Sequence, residues 1–70
     1  MMLKQYMLII FKKGGNSKRS MTDTPPLQRA IELHSMCNDV EVIEVYKFSS
    51  ALRDYKYICT IKFDRGLLHG

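Results

Sequence analysis

The sequence predicts a small α+β domain: a three-stranded sheet in the order strand, helix, strand, strand, with one helix packed on one face. Three observations support this. Residues 5–13 (QYMLIIFKK) are apolar on both parities. Residues 22–39 place apolar side chains at helical spacing behind two prolines. Residues 40–48 and 55–63 are rich in β-branched and aromatic residues, as strands are.

The first strand carries Tyr6, Leu8 and Ile10 on one side and Met7, Ile9 and Phe11 on the other. A strand of this kind is covered on both faces. The glycines that follow it disfavour a short buried helix. A single helix covers only one side, so Met7, Ile9 and Phe11, or their opposite-parity neighbours, are the expected interface of a homodimer.

Next comes Lys12 to Met21, KKGGNSKRSM, with no apolar residue between Phe11 and Met21. Gly14 and Gly15 add backbone freedom. A mobile basic loop over residues 12–23 is expected. The helix follows, with Thr24 as N-cap and Pro25 at its first position, where a missing N–H costs nothing. At 100° per residue, Leu27, Ala30, Ile31, Leu33, His34 and Cys37 share one arc, which is expected to face the sheet.

In the next strand the alternation slips, because Val40 and Val42 share one parity and Ile43 and Val45 the other. A bulge near Val42 and Ile43, or burial on both faces, accounts for that. The last strand alternates cleanly. Tyr55, Tyr57, Cys59, Ile61 and Phe63 are expected toward the helix, and Lys56, Ile58, Thr60 and Lys62 away from it. Residues 64–70 form a tail in which Leu67 and Leu68 could dock.

Seventy residues make one domain, 1–70. A chain this short buries only about 60% of its unfolded surface, so self-association is a natural source of stability. The net charge is +4, and Lys12, Lys13, Lys18 and Arg19 together supply +4, so the remainder is balanced. These four, extended by Lys56 and Lys62, are the candidate binding residues for an acidic protein surface, nucleic acid or phosphate.

Chemical signatures are weak. The glycine-lysine phosphate loop requires glycine directly before lysine, and here Gly15 and Lys18 are separated by Asn16 and Ser17. His34, Cys37, Cys59 and His69 lack the two tight pairs of a structural zinc site. Cys37 and His34 have no carboxylate on the same stripe to orient the histidine. No enzyme activity, metal or cofactor is expected. The apolar run from Tyr6 to Phe11 is too short to span a bilayer, and two cysteines do not make a disulfide framework. No membrane partner and a cytoplasmic location are therefore expected.

The functional expectation is a non-catalytic protein-interaction module. It would act as a regulator or inhibitor of a host or partner protein, by general analogy with small proteins of bacteriophage and mobile elements. Nucleic-acid binding through the basic loop is the alternative, and phosphate or nucleotide binding a second one.

Overall fold

A computed structural model describes residues 3–63. The elements are β1 (Tyr6–Lys12), β2 (Ser17–Thr22), α1 (Pro26–Met36), β3 (Val40–Ser49) and β4 (Asp54–Lys62), with a one-turn 3-10 segment, Lys13–Gly15, between β1 and β2. The α+β class holds. The strand count is corrected: the sheet has four strands, ordered β2-β1-β3-β4, all antiparallel.

The fourth strand lies within the stretch expected to be a loop. β1 and β2 form a hairpin pairing Phe11 with Ser17 and Tyr6 with Thr22. The Lys12 amide donates to the Asn16 carbonyl at 2.8 Å and closes the turn. Gly14 and Gly15 both have φ near +90°, in the left-handed region that a side chain disfavours. Nothing lies within 4 Å of a Cβ built on either, so backbone angle, not space, selects glycine here. β2 is an edge strand whose residues are mostly exposed, so it needs no run of apolar side chains.

The core lies between α1 and the two central strands. Leu8, Ile43 and Val45 are fully buried, with Ile10, Ala30 and Val40 nearly so. The expected slip in the Val40–Val45 strand is a register shift. Phe11 pairs with Val42 and Lys12 with Val40, which leaves Glu41 as the extra residue. The shift puts Val40, Ile43 and Val45 on the helix side together.

Two details of the helix are corrected. It begins at Pro26 with Pro25 as N-cap and no side-chain cap. The Thr24 amide instead donates to the Thr22 hydroxyl at 3.0 Å, a local turn that competes with capping. The inward arc is also narrower than the apolar pattern. Ala30 is buried and Leu33, His34 and Cys37 are half-buried, but Leu27 and Ile31 are 62% and 54% exposed. The sheet contact centres on Ala30, and Leu27 and Ile31 lie on the flank of that contact.

The last strand contains the largest departure. Val45 pairs with Cys59 but Tyr46 pairs with Tyr57, so Ile58 is a bulge residue. Cys59 and Ile61 face the helix as expected. Tyr55 and Tyr57 do not: the bulge turns them to the opposite face, and the expected helix-facing set is corrected to Cys59, Ile61 and Phe63. Phe63 packs on the core and stacks against His34 with ring centroids 4.2 Å apart. The suggested docking of Leu67 and Leu68, and the position of His69, lie outside the described residues.

Candidate interaction face

Paired residues in adjacent strands share a face, so the registers define the side of the sheet away from α1. Four rungs cross it. The first is Ser17, Phe11, Val42 and Lys62; the second is Arg19, Ile9, Glu44 and Thr60. The third is Met21, Met7, Tyr46 and Tyr57, and the fourth contains Phe48 and Tyr55. No described element packs over this side; α1 lies on the other. The face combines aliphatic and sulfur side chains on β1 and β2 with an aromatic corner on β3 and β4.

That corner is internally ordered. Tyr46 meets Tyr57 edge-on with centroids 5.6 Å apart, and Phe48 meets Tyr55 likewise at 5.4 Å. The Tyr55 hydroxyl donates to the Lys4 carbonyl at 2.7 Å, which ties β4 to the chain entering β1 across the intervening strand. The Tyr57 hydroxyl is hydrogen-bonded to the Thr60 hydroxyl. The Tyr46 hydroxyl donates to the Glu44 carboxylate at 3.1 Å. Burial, then the Glu44 hydrogen bond and charge, raise the Tyr46 phenol above its ordinary range, so it stays a neutral donor.

Apolar surface on this face is only partly shielded by its neighbours. Phe11 is 36% exposed, Met21 40% and Tyr57 49%. Met7 and Ile9 are half-buried. Strands of an antiparallel sheet that face water normally alternate apolar and polar side chains. β1 does not, because Met7, Ile9 and Phe11 stand where polar residues would.

The six candidate cations do not form one patch. Lys12 ends β1 and Lys13 lies in the turn, where its amide donates to the Asp39 carbonyl at 2.9 Å. Lys18 pairs with Ile10 and therefore lies on the helix side, whereas Arg19 pairs with Ile9 on the open side. Lys56 pairs with Lys47 on the helix side and Lys62 with Val42 on the open side. Lys18 and Lys56 thus occupy opposite edges of the sheet. Arg19 and Lys62 belong to the open face. The three residues expected to be unburied by the helix, Met7, Ile9 and Phe11, do share that face.

Sequence reasoning missed Tyr46, Phe48, Tyr55 and Tyr57 as a cluster. The signal available was Ile58, an apolar residue on the otherwise polar parity of the last strand, which marks a break in register. Among the described residues no group of three or more His, Cys, Asp or Glu side chains could hold a metal. No described helix is long and apolar enough to cross a membrane. Cys37 is half-buried at the helix end, Cys59 is exposed, and both are free thiols.

In comparisons with known proteins, no family model matches the chain, no curated protein matches it, and no solved structure matches it.

Proposed function

We propose that the chain is a non-catalytic protein-interaction module that works through the open face of its sheet. The observation that carries this reading is the apolar character of β1 on the side away from α1. Met7, Ile9 and Phe11 continue into Met21, Tyr46 and Tyr57 with no covering layer among the described residues. A domain is stable as two or three packed layers, and a sheet with apolar residues on both sides calls for a layer on each. Aromatic residues and methionine, with one arginine among them, are the side chains that interface centres favour. Catalysis has no comparable support: the His34 ring is stacked on Phe63, and no described hydrogen bond joins it to the Cys37 thiol.

A second reading has its own observation. The bulge at Ile58 turns Tyr55 and Tyr57 to the face that also carries Arg19, on the far edge strand, and Lys62, at the other end of β4, and aromatic rings and cations on one face are how single-stranded nucleic acid is bound without base reading. Glu44 at the middle of the face opposes it, since a carboxylate there repels the phosphate backbone.

One experiment separates the two. A photo-reactive phenylalanine analogue is placed at Tyr57, and in a control chain at Leu52, which is exposed in the turn between β3 and β4. The proposal expects protein adducts from position 57 and not from position 52. Nucleic-acid adducts from position 57 support the second reading, and equal yields from both positions contradict a specific face.

A further inference from the structure

We infer that the occupant of the open face is a second copy of this chain, stacked sheet against sheet, with Arg19 of each copy paired to Glu44 of the other. This rests on the open face being the working surface and assigns what covers it.

The charge pattern selects both the partner and the symmetry. On the second rung Arg19 and Glu44 flank Ile9, two strands apart. They carry opposite charges on either side of an isoleucine, and neither forms an ion pair among the described residues, although Glu44 accepts the Tyr46 hydroxyl; the other charge on the face, Lys62, lies on the edge strand β4. A two-fold axis parallel to the strands, midway between β1 and β3, lays β1 on the partner's β3 and β2 on the partner's β4. Rotation about that axis moves nothing along it, so the second rungs of the two copies meet. Arg19 then lies one strand spacing, about 4.8 Å, to the side of the partner's Glu44 across a gap of about 10 Å, which two long side chains span. The symmetry makes this pair twice.

The other in-plane axis runs along the rungs. Centred on the second rung, it sets Arg19 against Arg19 and Glu44 against Glu44. Centred between the second and third, it sets both charges on apolar residues. Of these arrangements the first gives both Arg19 and Glu44 an opposite charge, while Lys62, on the edge strand, meets Ser17 of the second copy at the rim where its ammonium reaches water; an unpaired charge at the centre of such an interface is what burial penalises most. Stacked sheets in sandwiches lie at about −30° because each is twisted, a rotation that long charged side chains tolerate.

The area suffices. Four strands at about 4.8 Å and four rungs at about 6.8 Å give a footprint of roughly 500 Å² per copy. Two copies then bury roughly 1,000 Å² before side-chain relief is counted, the threshold for a specific interface. The sheet edges suit this stack better than edge-to-edge pairing. β4 carries a bulge and Lys56, and β2 carries Lys18, features that protect edges from one another.

The test uses the intact chain in sedimentation equilibrium across concentrations up to about 100 µM, a range that detects dissociation constants in the micromolar region. The unmodified chain is expected at twice its 8.2 kDa mass. Arg19→Glu and Glu44→Arg each weaken the dimer at least tenfold, and the doubly substituted chain recovers to within about threefold of the original, a difference below 1 kcal/mol. Arg19→Gln and Glu44→Gln, which add no new charge, each weaken it as well and serve if a charge reversal fails to fold, as judged by far-ultraviolet circular dichroism. A chain that stays at single mass throughout overturns the inference, as does a dimer indifferent to both positions or a double variant as weak as the singles. The module reading fails separately, when position 57 yields no protein adduct of any kind.

Discussion

The two faces of the sheet are built from the same strands and have opposite fates. On the helix side, Leu8, Ile43 and Val45 are fully buried beneath α1. On the other side, one residue along each strand, Ile9, Glu44 and Tyr46 are half-buried by their neighbours alone. Both faces contain aliphatic residues at the centre. What differs is that, among the described residues, one has a second layer over it and the other does not. On the proposal made above, folding belongs to the first face and association to the second, and substitutions should separate them.

The largest effect is expected in the core. Leu8→Ala removes a fully buried side chain and should cost about 2–5 kcal/mol, enough to unfold much of a domain this small. Ile9→Ala, one residue away on the open face, should cost the dilute chain less than half as much, because little burial is lost. Chemical denaturation of both variants at low concentration checks the contrast. Equal costs would mean that the open face is already covered within the chain.

Turn geometry gives the next effect, on both hairpins. Gly15→Ala places a side chain at φ +88° and should destabilise by about 1–2 kcal/mol. Arg53, between β3 and β4, has φ +55° without being glycine. Arg53→Gly should stabilise by up to about 1 kcal/mol. Thermal melts read both, and opposite signs are the expected result. A neutral Gly15→Ala would show that the β1–β2 turn is not held in this form.

The smallest effect is electrostatic. The Gln5 amide donates to the Asp23 carboxylate at 2.8 Å, and Lys4 lies 3.5 Å from it. That backbone hydrogen bond is the main cause holding the carboxyl below its ordinary value; desolvation opposes it, and the Lys4 charge adds a smaller lowering. A carboxyl with a depressed folded value contributes stability above its unfolded value and loses it as pH falls through the folded one. The stability difference between the chain and Asp23→Asn should therefore be present at neutral pH and shrink below about pH 4. Urea midpoints at a series of pH values measure it, and a difference that grows toward acid contradicts the assignment.

The two-faced character of β1 was legible in the sequence. The apolar residues on both parities of residues 6–11 form a strand with apolar side chains on both faces of the sheet. The slip at Val40–Val45 is a true irregularity, centred on Glu41. β2 was not legible because an edge strand carries no burial pattern: Ser17–Thr22 reads as polar connector, and the clue was Gly14-Gly15, a pair suited to a hairpin turn. The aromatic corner was hidden by an alternation that looked complete. Tyr55, Tyr57, Cys59, Ile61 and Phe63 form an unbroken apolar parity, yet the bulge at Ile58 divides it between two faces. Periodicity reports neighbours along the chain, whereas the bulge follows from pairing with β3.

The most direct measurement compares the exposure of two sets of methyl groups to a soluble paramagnetic agent by nuclear magnetic resonance. Met7 and Met21 represent the open face, and Leu27 and Ile31 the outer flank of α1. If the open face is the interaction surface, the methionine signals become protected as concentration rises while the helix signals stay accessible. Methionines as accessible as Leu27 and Ile31 at every concentration would contradict the account.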